Sequence, residues 1–114
     1  MPKAHKKNVF HRSISQQFQI LAQLYQQEQA SEITTQTLMK LIEFEKNSNE
    51  KQLDDLKKDV FFFEKQYGMK SDQFYKEYQN GKRGDDMDFI EWASLIQMIN
   101  RIEQKIEILN GSSL

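Results

Sequence analysis

The sequence is poor in the residues that staple or interrupt a chain. It contains no cysteine, one proline (Pro2) and four glycines among its 114 residues. The lack of cysteine excludes disulfide bonds, thiolate zinc sites and cysteine nucleophiles. Because proline and glycine are the residues that break helices, their scarcity leaves long stretches free to be helical. The sequence therefore predicts an all-α fold in which the glycines mark the ends of helices.

Long hydrophobic runs are also missing. No apolar stretch approaches the roughly 20 residues that a membrane span requires, and the basic first seven residues lack the apolar core of a signal peptide. We therefore expect a soluble, cytoplasmic protein that does not contact a membrane. The content of 38% apolar and 29% charged residues favours thin helices, which often gain stability by pairing.

Negative charge is absent from the first part of the chain, where no acidic residue precedes Glu28. The same part carries four cations: Lys3, Lys6, Lys7 and Arg12. We predict a disordered basic arm over residues 1–12 and a single helical domain over residues 13–114. A solvated terminus is the favoured interpretation of the arm, and contact of its cations with the phosphates of nucleic acid or with an acidic partner is the alternative.

The first periodic segment predicts a helix over residues 14–29, with Ser13 suited to cap its N-terminus. Its apolar residues recur at the helical spacings of three and four: Ile14, Phe18, Leu21 and Tyr25. The other face is rich in glutamine, which is a weak core former. This helix therefore needs a neighbouring surface to cover its apolar stripe.

Neither glycine nor proline occurs from Glu32 to Tyr67. Two heptad series run through this segment in one frame, as in coiled coils: Met39, Lys46, Leu53, Val60 and Tyr67, and Ile42, Asn49, Leu56 and Phe63. The central members are polar, so residues 46–50 form either a polar layer within one helix or a loop between two. We favour one helix, roughly 50 Å long, because the apolar frame keeps its phase across this segment.

The remaining chain contains two glycine stops and a second long periodic segment. Gly68 predicts the end of the long helix by a left-handed C-cap, and Ser71 is suited to cap a short helix over residues 72–80. Gly81 predicts the end of that helix. Asp88 then opens the last helix with Glu91 in the capping-box position.

This last helix carries two further heptad series: Trp92, Ile99 and Ile106, and Leu95, Ile102 and Leu109. Two long amphipathic helices joined by a short helix should fold back as an antiparallel helical hairpin. The helices have apolar residues beyond one narrow seam, which a single hairpin cannot cover. A second surface is therefore needed, which is the first helix, a second copy or a foreign partner. We expect the hairpin to be paired in a homodimeric bundle.

Groups suited to catalysis or metal binding are few. The two histidines, His5 and His11, lie in the basic arm without acidic or cysteine companions, whereas a catalytic triad needs a histidine held in packed structure. The acidic cluster Asp85, Asp86, Asp88 and Glu91 does not have the spacing of a calcium loop, and negative charge stabilises a helix N-terminus without a ligand. We expect no enzymatic activity, no metal and no cofactor.

Two further features have competing interpretations. The segment Gly81-Lys82-Arg83-Gly84 matches the basic G-x-x-G loop of some RNA-binding domains, but those domains carry it beside a sheet, so we interpret it as a turn. Phe61 and Phe62 cannot both face the seam with Phe63, because successive helical residues point about 100° apart. The candidate partner-binding residues are Phe61, Phe62, Tyr75, Tyr78, Phe89 and Trp92.

Two segments carry a family resemblance: Phe63-Glu64-Lys65-Gln66-Tyr67-Gly68-Met69-Lys70-Ser71-Asp72-Gln73-Phe74 and Gly84-Asp85-Asp86-Met87-Asp88-Phe89-Ile90-Glu91-Trp92. They resemble a YGM-x-S-x-x-F stop and a GDDxDFxEW turn found between the long helices of small prokaryotic proteins, common in cyanobacteria and archaea. The resemblance covers about residues 38–109. Where this family carries acidic and glycine positions before the turn, this chain has Gly81-Lys82-Arg83.

Members of this family are often regarded as antitoxin-like partners in two-gene modules, so the resemblance implies a binding role. We therefore expect a non-enzymatic protein-interaction module that binds and neutralises a partner protein, such as one encoded nearby. The alternatives are a nucleic-acid-associated protein that uses its basic arm, and a purely structural homodimer.

Overall fold

The computed structural model describes residues 12–112, and this part of the chain is helical without a strand. Its helices are α1 (Ile14–Gln26), α2 (Glu32–Tyr67), α3 (Ser71–Gln79) and α4 (Met87–Leu109). The predicted all-α fold is confirmed. Of the predicted basic arm only Arg12, which is exposed, lies within the described residues. None of these helices is both long enough and apolar enough to cross a membrane.

Internal contacts divide the chain into two compact units, Met1–Lys40 and Leu41–Leu114. We call their described parts the N-terminal unit (residues 12–40) and the hairpin unit (residues 41–112). The long helix α2 belongs to both. The expectation of a single domain over residues 13–114 stays a prediction.

Helix α1 of the N-terminal unit begins as predicted and ends earlier than predicted. The Ser13 hydroxyl accepts a hydrogen bond from the Gln16 N–H at 3.1 Å, and the Gln16 side chain accepts one from the Ser13 N–H at 3.0 Å, which completes a capping box. The helix stops at Gln26 because Glu28 adopts a φ of +56° and the Gln29 N–H donates to the Leu24 carbonyl at 3.0 Å. This is a left-handed C-cap without glycine.

The start of α2 is held by short polar contacts. The Thr34 N–H donates to the Ser31 hydroxyl at 3.2 Å, so Ser31 caps this helix. The Tyr25 and Thr35 hydroxyls are hydrogen-bonded to each other. No residue from 12 to 40 is buried. The N-terminal unit therefore has hydrogen bonds but no hydrophobic core.

Helix α2 is continuous through residues 46–50, as we predicted from the unbroken heptad phase. Its polar layer is stable because Asn49, which is buried, donates from its side-chain amide to the Glu45 carbonyl at 2.7 Å. The helix ends before Gly68, which has a φ of +59°. The Met69 N–H then donates to the Glu64 carbonyl at 3.2 Å, which confirms the predicted C-cap.

The hairpin unit is antiparallel, as predicted. Tyr67 at the end of α2 is hydrogen-bonded to Asp88 at the start of α4, and farther along the pair Gln52 lines the same groove as Ile102. Helix α3 closes the turn between the two long helices. The main cluster of the core lies at this closed end and consists of Val60, Phe63, Phe74, Trp92 and Ala93, and Leu56 and Ile102 are buried as well. The homodimeric pairing of this hairpin stays a prediction.

The two N-caps predicted for the hairpin unit are wrong. Helix α3 includes Ser71 as its first residue, and the Glu64 carboxylate accepts the Ser71 N–H at 2.8 Å. Helix α4 begins at Met87 with Asp86 as its N-cap, which accepts the Asp88 N–H at 2.9 Å. In both cases the predicted capping side chain instead bonds to a residue that is distant in sequence.

Candidate functional site

Trp92 is the centre of the aromatic core and has no exposed surface. The Phe74 ring stacks on it with centroids 3.9 Å apart and planes 3° apart. The Phe63 ring lies nearly parallel to it at 5.8 Å, and the Tyr67 ring lies at 5.9 Å. Aromatic pairs contribute about 0.5–1.5 kcal/mol beyond the area they bury. The three helices of the closed end are thus fixed around one indole.

The polar edge of this indole is satisfied by a residue from α3. The Trp92 Nε1–H donates to the Ser71 hydroxyl at 2.9 Å, while the Ser71 N–H donates to the Glu64 carboxylate. A single serine therefore connects α4 to α2. Because a buried indole N–H without a partner is unfavourable, these bonds specify how α3 docks.

A second polar contact joins the ends of the long helices. The Tyr67 hydroxyl donates to the Asp88 carboxylate at 2.5 Å, and the Gln66 amide lies 3.5 Å from the same oxygen. This hydrogen bond, together with burial and the charges of Asp88 and Asp86, raises the pKa of Tyr67 to about 12. The phenol is therefore protonated near neutral pH and acts as a structural donor.

The two segments that carry the family resemblance meet at this closed end. Tyr67 and Ser71 of the first segment donate to and accept from Asp88 and Trp92 of the second. Each of these motif residues thus has a packing or hydrogen-bonding role that needs no ligand. The two motifs determine how the hairpin closes. Residues that bind a partner should therefore lie on the surface around them.

Phe61 and Phe62 form an exposed aromatic pair on α2 beside this core. Their exposed fractions are 54% and 68%. The Lys65 ammonium lies 5.2 Å above the Phe61 ring, and the Phe62 ring meets the buried Phe63 ring edge-on at 6.5 Å. Sequence reasoning expected at least one of the two to face away from the seam, and the structure places both there.

An open groove of about 410 Å³ lies beside Phe62, between α2 and α4. Its lining residues are Asp59, Phe62, Phe63, Gln66, Asp88 and Glu91. Three of them are acidic and none is basic, so the groove is chemically suited to cationic groups. Sequence reasoning missed this groove, although Asp59, Gln66 and Glu91 each stand one position before a seam residue. The position of these residues next to the heptad positions was the one sign in the sequence that they could line a groove beside the seam.

The other four predicted partner-binding residues have a different environment. Tyr75, Tyr78 and Phe89 are half-buried against the core cluster, and the Tyr75 hydroxyl accepts a hydrogen bond from the Gln97 amide at 3.2 Å. Trp92 is fully buried. In this conformation these four side chains belong to the core and its margin, which leaves Phe61 and Phe62 as the accessible rings.

Of the four arm cations named from the sequence, the structure describes only Arg12. Lys3, Lys6 and Lys7, like both histidines, lie outside the described residues, and Arg12 is exposed. In the turn over residues 81–84, Arg83 forms an ion pair with Glu77 at 3.2 Å. Its guanidinium also lies 5.9 Å from the Phe89 ring centroid. Arg83 therefore holds the turn against the aromatic core.

The acidic cluster at the start of α4 acts through its hydrogen bonds. Asp86 caps the helix and Asp88 accepts the Tyr67 hydroxyl. Across residues 12–112 no three histidine, aspartate or glutamate side chains are grouped so that they could hold a metal ion.

No family model matches the chain, and no curated protein or solved structure is similar enough to be matched. The resemblance to the antitoxin-like family, which rests on two motifs, stays a prediction.

Proposed function

We propose that this protein is a non-enzymatic, antitoxin-like interaction module of the cytoplasm, which binds and neutralises a partner protein through Phe61 and Phe62. The observation that carries the proposal is the exposure of two large aromatic rings at successive positions of one helix. Aromatic side chains that become buried at an interface commonly supply most of its binding free energy. Fixed in place on α2, this pair is suited to that role.

The part of α2 that carries Phe61 and Phe62 is anchored in the core, which supports the proposal. Phe63, the next residue, is stacked on Trp92 in the core, so the backbone that carries the two rings is anchored. A surface that is already ordered loses less conformational entropy when it binds. The neighbouring groove, lined by Asp59, Asp88 and Glu91, favours a partner whose contacting surface is basic.

The chain offers a matched control for this surface. Phe44 is also on α2 and is 68% exposed, as Phe62 is. It lies 18 residues before Phe62, which is about 27 Å along the helix. A substitution of either residue by serine removes an equally exposed phenyl ring, but only Phe62 belongs to the proposed binding surface.

The test is co-expression with the product of the adjacent gene, followed by titration of the purified pair. We expect the neighbour to be toxic alone and neutralised by this protein. Phe62→Ser should weaken binding by at least about 30-fold, in the range of an aromatic hot spot, and Phe44→Ser should leave it unchanged. Equal affinities for the two variants, or a neighbour that is neither toxic nor bound, would overturn the proposal.

A second proposal rests on sequence charge. The first 27 residues contain four cations and no acid, and Arg12 is exposed, so the basic arm is suited to phosphate contacts. We expect DNA or RNA binding by the arm to weaken steeply with salt and to disappear on deletion of residues 1–12. Binding that survives this deletion unchanged would exclude the arm.

A further inference from the structure

Helix α1 carries an apolar stripe that residues 12–112 leave largely uncovered. Ile14, Phe18 and Leu21 lie on one side of the helix and are 71%, 50% and 37% exposed. Tyr25 continues the same side, but it is half-buried and its hydroxyl is hydrogen-bonded to Thr35. No residue of α1 is buried. An isolated helix of 13 residues is only marginally stable in water, so a further surface must cover this stripe when the helix is firmly formed.

The stripe has a spacing that reads the same in both directions. Its members follow one another at intervals of four, three and four residues. If a second copy of α1 lies antiparallel to the first, Ile14 faces Tyr25 and Phe18 faces Leu21, and the same pairs recur across the two-fold axis. This reciprocity is what an isologous interface requires.

The polar residues of α1 are equally compatible with a second copy. From Ile14 to Gln26 the helix contains no charged residue, so two copies brought together along it do not repel each other. Its polar positions are mostly glutamines, whose amides both donate and accept hydrogen bonds and can therefore pair with their own copy.

The charges that flank the helix complete this match. Arg12 precedes α1 and Glu28 follows it. An antiparallel pair of helices brings the Arg12 end of one copy beside the Glu28 end of the other. Opposite charges then meet at both ends, whereas a parallel pair would place like charges together.

We propose that two copies of this protein associate through an antiparallel pair of α1 helices, with Ile14, Phe18 and Leu21 at the interface. This surface belongs to the N-terminal unit, whereas the proposed partner surface at Phe61 and Phe62 belongs to the hairpin unit. The homodimer is therefore independent of the proposed function. Failure of either leaves the other standing.

The first test compares the oligomeric state of the full chain and two variants by sedimentation equilibrium. Leu21→Glu places a charge in the stripe, and Gln23→Glu places the same charge on the glutamine face as a matched control. We expect the wild type and Gln23→Glu to be dimers. Leu21→Glu should raise the dimer dissociation constant at least about tenfold, and circular dichroism should show a loss of helix as the monomer forms.

The second test fixes the orientation of the two helices. Because the chain has no cysteine, single cysteines can be introduced at the exposed flanks as Arg12→Cys and Glu28→Cys. A short bismaleimide cross-linker should join the two variants when they are mixed and should join neither variant efficiently to itself. Self-linking of Arg12→Cys alone would indicate a parallel pair and overturn the proposed arrangement.

Two further results would contradict the homodimer. A wild-type monomer at about 100 µM would exclude association through α1. A monomer that gains helix only with vesicles of phosphatidylcholine and phosphatidylglycerol would assign the stripe to a lipid surface, because amphipathic helices bind such interfaces. Unchanged association of Leu21→Glu would show that any dimer uses another surface.

Discussion

The two units of this protein are built from the same kind of helix but differ in what covers the helices. In the hairpin unit, Trp92 and Phe74 have no exposed surface and α2, α3 and α4 all contribute to one core. In the N-terminal unit, residues 12–40 include an equally regular amphipathic helix without a buried residue. Regular secondary structure is therefore present in both units, and a hydrophobic core is present in only one.

This difference determines where stability comes from in each unit. Full burial of a large apolar side chain contributes about 1.5–3 kcal/mol, and the hairpin unit has several such residues. The N-terminal unit depends on caps and a few side-chain hydrogen bonds, each of which contributes about 0.5–1.5 kcal/mol. The hairpin unit should thus unfold cooperatively, whereas the stability of α1 should depend on the surface that covers its apolar stripe.

The largest predicted effect is the loss of the indole that the hairpin unit is packed around. Trp92→Ala removes the indole on which the surrounding aromatic rings pack, together with its hydrogen bond to Ser71, and it leaves a cavity. We expect a destabilisation of about 3–5 kcal/mol, measured by urea unfolding followed by circular dichroism. For so small a unit this is a large part of the total stability.

The control for this substitution is Ile90→Ala, on the same helix at a position that is exposed. It should change the free energy of unfolding by less than about 0.5 kcal/mol. Similar decreases in the free energy of unfolding for the two variants would mean that the stability of the hairpin unit does not depend on its aromatic core. The proposed difference between the two units would then be wrong.

A smaller effect should follow from the hydrogen bond that docks α3. Ser71→Ala leaves the buried Trp92 Nε1–H without its acceptor, which costs about 1–3 kcal/mol. Ser94→Ala, at an exposed position of α4, is the matched control and should be nearly neutral. If thermal unfolding shows equal midpoints for both variants, the serine does not specify the docking of α3.

The role of Ser71 illustrates how much the sequence can predict. Heptad phase was sufficient to predict α2 through its polar layer at Asn49, and the glycines were sufficient to predict where α2 and α3 end, because both are local patterns. Ser71 and Asp88 also had the local pattern of N-caps. Their actual partners, Trp92 and Tyr67, are each 21 residues away in sequence, so only the folded hairpin reveals them.

The end of α1 was mispredicted for a related reason. Glu28 adopts the left-handed conformation that glycine adopts at the end of α2, so no residue type marked the stop. Helical geometry forbids three successive residues from facing one seam, so it predicted that at least one of Phe61 and Phe62 faces away; that both are exposed is seen only in the structure. The acidic groove beside them combines residues of two helices, and the local sequence does not show that combination.

The smallest predicted effects come from these two left-handed C-caps, and they should have opposite signs. Gly68 has a φ of +59° and open space where a side chain would start, so Gly68→Ala introduces backbone strain without a clash. We expect a loss of about 1 kcal/mol, seen as a lower thermal midpoint of the hairpin unit. Glu28 has a φ of +56°, and Glu28→Gly should relieve strain of the same kind.

The N-terminal unit has no core, so a thermal midpoint does not report its stability. The effect of Glu28→Gly must therefore be measured in another way. The gain, about 0.5 kcal/mol after the greater freedom of glycine in the unfolded chain is subtracted, should appear as slower hydrogen exchange of the Gln29 amide, which donates to Leu24. Glu28→Ala, which removes the carboxylate but keeps the strain, is the control. If Glu28→Ala slows exchange as much as Glu28→Gly does, the charge of Glu28 and not its backbone conformation limits this helix end.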